Sequence, residues 1–116
     1  MRGLTSSRAA MPHKIHITPE AADDLRAIGD YIAQNSPETA HRFMTSIERQ
    51  IATLQKFPAR HGRAPEAALA GADLRQMMHG LYRVLYTLDN DIVTIHAIRH
   101  GARRPLRSNE LPERAT

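Results

Sequence analysis

The chain of 116 residues has no cysteine and no tryptophan, and only two Phe and three Tyr. Without cysteine, disulfides and thiolate metal ligation are excluded. That suits a reducing compartment, and a cytoplasmic location is expected. With so few aromatics, the core must come mostly from Ile, Leu, Val, Ala and Met. A single domain of this length buries only a modest core. No apolar run approaches the roughly 20 residues of a membrane span. Arg2 and Arg8 are not followed by the apolar segment of a secretory signal, so no membrane association is expected. Residues 1–12 read as a disordered leader, or as an extension upstream of a start at Met11. Residues 13–104 read as the domain and 105–116 as a flexible tail.

Several chemistries are also missing. There is no Gly-rich phosphate loop, no dinucleotide fingerprint and no nucleophile elbow. His13 and His16 fall on opposite faces of a short strand. His96 and His100 are four apart, but no carboxylate lies near them in sequence. No metal and no cofactor is expected.

What is present is positive charge, unevenly placed. The formal charge is +4, from sixteen Lys and Arg against twelve Asp and Glu. Residues 57–107 hold eight bases, all arginine: Arg60, Arg63, Arg75, Arg83, Arg99, Arg103, Arg104 and Arg107. Arginine's planar fork suits phosphate and carboxylate groups. This favours a polyanion or an acidic protein partner over a merely solvated surface.

The hydrophobic pattern gives an element order. Lys14 to Ile17 alternates and reads as a strand. Thr18-Pro19-Glu20 starts a helix with a cap, a first-turn proline and a favourable acid. Ala21, Leu25, Ile28 and Ile32 form its apolar stripe. Gly29 sits within this helix, where it allows close packing. Ser36-Pro37 starts a second helix with Ala40, Phe43, Ile47, Ile51 and Leu54, ending at Phe57-Pro58. The short connection makes the helices antiparallel neighbours. Residues 58–72 read as a loop with one helical turn at Ala67–Ala70. From Leu74 the period becomes two: strands at Leu74–Met78 and Tyr82–Leu88, a tight turn at Asp89-Asn90-Asp91, and a last strand at Ile92–Ile98. The order β-α-α-β-β-β predicts an α+β fold, a helical hairpin packed on a small antiparallel sheet.

Arg75 and Arg83 lie on neighbouring strands, with register left open. Arg99, His100 and Arg103 gather at the end of the last strand. Histidine as base or acid and arginine as charge stabiliser are compatible with RNA cleavage. On that reading the catalytic groups are Arg75, Arg83 and His100. Tyr82 and Tyr86 alternate on one strand face, for core packing or base stacking. The helix stripes mainly pack on the sheet. Grooves and an open edge remain for a partner's helix or strand, and Met44, Met77 and Met78 suit an adaptable contact surface.

Thr18-Pro19-Glu20-Ala21, Tyr31-Ile32, Ser36-Pro37, Phe57-Pro58 with Gly62-Arg63, Leu74-Arg75, Tyr82-Arg83-Val84-Leu85-Tyr86 and His100-Gly101-Ala102-Arg103 follow one another in order. Over residues 14–104 the chain thereby resembles the ParE/RelE superfamily of type II toxin–antitoxin toxins. The resemblance implies a toxin neutralised by a cognate antitoxin, commonly of ribbon-helix-helix type, in a toxin dimer or a heterotetramer with antitoxin. ParE-like members resemble inhibitors of DNA gyrase, whereas RelE-like members cut mRNA on the ribosome. The closing His100-Gly101-Ala102-Arg103 and the well-capped hairpin look more like ParE. A RelE-type lysine pair is absent after Lys56, and Arg104 stands where ParE-like chains commonly carry an acid. The resemblance thus favours a gyrase inhibitor that is not an enzyme, with Arg99, His100 and Arg103 as target contacts. A ribosome-dependent mRNA interferase is the second reading, and a non-toxic antitoxin-binding module the third. In each, the antitoxin is expected to cover Leu25, Ile28, Ile32, Phe43 and Ile47 and to pair acids with Arg75 and Arg83.

Overall fold

A computed structural model describes residues 13–67 and 73–101. Strand β1 (Lys14–Ile17) leads into helices α1 (Pro19–Ala33) and α2 (Pro37–Ala52). Two short 3-10 turns, Thr53–Gln55 and Pro58–Arg60, follow. Strands β2 (Leu74–His79), β3 (Tyr82–Asp89) and β4 (Ile92–His100) complete the order. The expected leader and tail, the end of the Ala67–Ala70 turn and Arg103 lie outside the described residues.

Both helices start where the sequence marks them. Thr18 Oγ1 accepts from the Ala21 amide and Ser36 Oγ from the Thr39 amide, each at 3.1 Å. A proline opens each helix, and Glu20 and Glu38 sit in the positive first turns. Such caps contribute about 1 kcal/mol each.

The four strands lie in the order β1-β4-β3-β2. β2, β3 and β4 form the expected antiparallel meander. Asn90 (φ 56°) and Gly80 (φ 59°) supply the positive φ that the two hairpin turns favour. The sheet is nevertheless mixed, because β1 pairs with β4 in parallel, from Lys14↔Ile92 to Ile17↔Ile95. No hairpin turn ties these two strands, so alternation within β1 carries no information on direction. The hairpin and meander between them supply the long crossover a parallel pair needs.

The helices cover one sheet face. Leu25, Ile47, Ile51 and Leu54 pack on Met77, Val84, Tyr86, Val93, Ile95 and Ile98. Each fully buried Ile, Leu or Val contributes about 1.5–3 kcal/mol over its exposed state. Tyr86 is fully buried, and its hydroxyl donates to the Pro58 carbonyl. Burial pushes its phenol up to about 12. On the other sheet face a smaller cluster, Leu74, Leu85 and Ala97, lies under Ala64 and Ala67. That covering segment also extends the β2 edge. The Ala64 amide donates to Leu74 O (2.9 Å) and the Gln76 amide to Gly62 O (3.1 Å).

Two helix side chains finish the sheet edges. Asp24 Oδ2 accepts from the Ile98 amide at 2.9 Å, and Gln50 Nε2 donates to Met78 O at 3.0 Å. Gly29 of α1 faces Met44 of α2, but a Cβ built there would lie 3.4 Å from Met44 Sδ, an ordinary contact. The helices approach closely without requiring glycine. Gly29→Ala should therefore stabilise the fold by about 0.5–1 kcal/mol through helix propensity. A raised urea midpoint at unchanged m-value would bear this out; a lowered one would mean that Met44 cannot yield.

Candidate functional site

The register assigns each arginine to a face. Met77 pairs with Val84 in the core, Arg75 with Tyr86, Met78 with Arg83, and Arg83 with Arg99. Side chains alternate along a strand. Arg75 therefore lies on the helix side, while Arg83 and Arg99 lie on the opposite side. The sequence brought Arg75 and Arg83 together on neighbouring strands; the fold points them apart.

Arg83 is buried, and its guanidinium forks onto Glu66. Nη2 lies 2.7 Å from Oε2 and Nη1 3.0 Å from Oε1, with Gln76 Oε1 2.9 Å from Nη1. The Arg83 and Glu66 side chains are 10% and 1% exposed. Planar bidentate pairing of this kind is strong and directional. Arg83, expected to face the antitoxin and to be catalytic only on the nuclease reading, is instead buried as a strut that holds the 62–67 segment on the sheet. Glu66 was not singled out in the sequence; only folding brings it to Arg83.

Arg75 also does structural work. Nη1 donates to Ala59 O (3.0 Å) and His61 O (2.7 Å), and Nε pairs with Asp73 at 3.3 Å. These bonds fix the turn after α2. Leu25 and Ile47 are buried beneath the helices, 7% and 0% exposed. They are corrected from docking residues to core, because the helix stripes turn toward the sheet. Ile28 and Phe43 pack partly buried against that core, and Ile32 is half-buried.

Arg99 and His100 remain half-exposed at the end of β4. They border a cleft of about 440 Å³ between α1 and β4, lined also by Asp24, Ile28, Tyr31 and Tyr82. His100 meets Tyr82 edge-on with ring centroids 5.3 Å apart. Phe43 continues the aromatic row, 5.3 Å from Tyr82 and 5.5 Å from His79. Tyr86 is fully core, whereas Tyr82 reaches the cleft wall. Arg99 Nε is buried without a hydrogen-bond partner. The cleft therefore joins apolar walls to the half-exposed Arg99 and to the Asp24 carboxylate, few polar groups on a mostly apolar lining as in a site for a docked side chain. Among the described residues no group of His, Asp and Glu is placed to hold a metal ion.

The family model for the ParE toxin of the parDE type II toxin–antitoxin system matches residues 15–105. The chain belongs to that toxin family. This toxin is 38% identical over 87 residues to toxin RelE2 of Caulobacter vibrioides, covering 74% of this chain and 92% of the relative. Its fold is shared with a structure from the chromosomal ParDE system of P. aeruginosa, at TM-score 0.64 and 24% identity, over 76% of this chain and 95% of that one. It is similar also to a chain of the RelBE2 toxin–antitoxin complex of Mycobacterium tuberculosis, at TM-score 0.54 and 25% identity, over 80% and 95% of the two chains.

Two predictions concern the toxin's internal polar groups. Arg83→Met alone should destabilise it by about 3–5 kcal/mol, because it removes the cation that matches the buried Glu66 carboxylate. Adding Glu66→Leu should recover most of that loss in chemical denaturation. A double variant no better than the single one would mean that the pair is not coupled. The second concerns pH. His96 lies in a β-bulge of β4 with Nε2 2.8 Å from Thr87 Oγ1. Burial first, then His16, holds it below the ordinary 6.5. The unfolded chain therefore takes up a proton first as pH falls. The stabilisation is complete above about 6.5 and is lost as pH drops through that value toward the lower folded one. His96→Gln should flatten this part of the stability profile; an unaltered slope would assign it to His61 and His79, which burial also lowers.

Proposed function

We propose that this toxin acts by binding DNA gyrase rather than by cutting RNA, and that a cognate antitoxin of ribbon-helix-helix type neutralises it. The observation that carries the non-enzymatic reading is the Arg83–Glu66 fork. Cleavage would need Arg75, Arg83 and His100 around one phosphate. Arg83 is instead neutralised within the sheet's outer layer. Arg75 and His100 share the helix side, but their partners Tyr86 and Tyr82 are four residues apart on β3, about 13 Å along a strand. Arg75 is moreover engaged with the turn backbone.

Docking fits what is left. Arg99 and His100 stand at the mouth of an apolar cleft, ready to receive a protein surface. The gyrase reading is supported by the match to the ParE family model and by the His100-Gly101-Ala102-Arg103 ending, through the resemblance to ParE-like gyrase inhibitors. An antitoxin partner is supported by the neighbouring folds, which come from toxin–antitoxin systems. The same cleft and the half-buried Ile28 and Phe43 are the antitoxin contacts proposed, with Ile32 at their margin.

A second reading, ribosome-dependent mRNA cleavage, draws on the likeness to RelE-named toxins. One pair of assays separates the two. Purified toxin at micromolar concentration should inhibit gyrase supercoiling and accumulate cleaved DNA, and Arg99→Ala with His100→Ala should weaken this about tenfold or more, as truncated interface anchors do. Absence of inhibition, with mRNA cut on added ribosomes and cutting abolished in His100→Ala, would replace the gyrase reading by the nuclease one.

A further inference from the structure

The outer face of α2 carries a charge pattern that neither the core nor the cleft accounts for. Arg42, Arg49 and Lys56 follow one another at intervals of seven residues, the last just past the 3-10 turn that prolongs the helix. Seven residues make nearly two helical turns, so Arg42 and Arg49 share a face about 10 Å apart, and Lys56 beyond the 3-10 turn lines the same depression as Arg49. Arg60, on the next turn, closes the row. All four are exposed. Among the described residues none of them forms an ion pair. Arg42 donates to Thr39 Oγ1 at 3.3 Å, and Arg60 to Thr53 Oγ1 at 3.2 Å and His61 Nε2 at 3.3 Å. Two shallow depressions of about 400 Å³ each lie along the row and share Arg49. Hydroxyls of Thr45, Ser46 and Thr53 line them beside the cations.

Solvation of an ordinary helix face explains this poorly. Arg49 in the last turn complements the helix dipole, but Arg42 is mid-helix and Lys56 and Arg60 lie beyond its end. Of the acids of α2, Glu38 lies four residues before Arg42 on the same face, at the first-turn end of the row, and Glu48 stands about 100° around from the core residue Ile47. On the outward side of α1 the charges are mixed: Asp23 pairs with Arg26 at 2.6 Å, with Glu20 and Asp30 also exposed on that helix.

We propose that this row on α2 is a docking surface for the backbone of double-stranded DNA. Long cations interleaved with hydroxyls are the groups that hold phosphate oxygens and sugars, and they fix position rather than read sequence. A single-strand site needs a succession of aromatic platforms, whereas the two depressions along this row hold one exposed ring each, His41 and Phe57. Arg42 and Arg49 stand about 10 Å apart along the helix, about three base pairs at 3.4 Å each, and Lys56 and Arg60 carry the surface past the helix end beside Arg49. The surface is separate from the cleft and independent of which target the toxin inhibits.

The test is fluorescence anisotropy of a labelled 20-base-pair duplex of random sequence with the purified full chain, over a salt series. Three to four phosphate contacts predict a slope of log affinity against log salt of about −3. Replacing Arg42, Arg49 and Lys56 together by Gln should weaken binding about tenfold or more at low salt and remove most of that slope. Lys14→Gln, on exposed β1, should change neither. If the triple variant does not fold by circular dichroism, Arg49→Gln alone should lower the slope by about one. Duplex binding without salt dependence, or no binding, would overturn the proposal. So would wild-type binding by the folded variant, which would put the contact on another surface. Tighter binding of single-stranded RNA of equal length would assign the row to RNA and equally overturn it.

Discussion

The sheet has two faces, and the helical hairpin can cover only one of them. Everything else in the fold is arranged around that constraint. Ile47, Leu54, Met77, Val84 and Ile95 are fully buried on the helix side, and the period of two then sends the alternate side chains outward. The outward residues of β2 and β3 include Leu74 and Leu85, too apolar to be left in water. The 62–67 segment covers them, and a buried charge pair pins it there. A two-stranded amphipathic pattern thus ends as three layers, the third being only a short loop.

The same parity decides the chemistry. Arg75 and Arg83 are separated by the sheet itself, and each is engaged in holding a loop. The groups left for other molecules stand at the end of β4 and on the outer side of α2. An apolar cleft bordered by Arg99 suits a protein, and an exposed row of cations suits a polyanion.

Much of this was legible in the sequence, and the parts that were not share a cause. The caps at Thr18 and Ser36, both helix stripes, the three meander strands and the Asp89-Asn90-Asp91 turn depend on neighbours within a few residues, which a linear reading can see. The parallel seat of β1, the burial of Glu66 and the opposite faces of Arg75 and Arg83 depend on partners far along the chain. The β-bulge between Leu85 and Tyr86 shifts the register of β4 against β3, so counting residues alone misplaces His96 relative to His100. Leu25 and Ile47 were correctly seen as apolar stripe residues. Their assignment to a docking surface failed because a stripe shows that a face will be covered, not whether the cover is the chain's own sheet or a partner. Glu66 had one usable signal, a lone acid among Ala64, Pro65, Ala67 and Ala68, a setting that suits burial only if a cation arrives to match it.

The bonds from Asp24 to the Ile98 amide and from Gln50 to the Met78 carbonyl have a consequence for how the chain behaves alone. An unpaired strand edge is a template on which another sheet can grow. β1 stops after four residues, which would leave the far half of β4 open, and the 62–64 segment stops short of Met78. At both gaps a polar side chain from a helix occupies the backbone group that a foreign strand would need first. Helix and edge are therefore coupled: loosening the hairpin unplugs the sheet, and a correctly docked hairpin is what keeps one copy of this chain from stitching itself to the next.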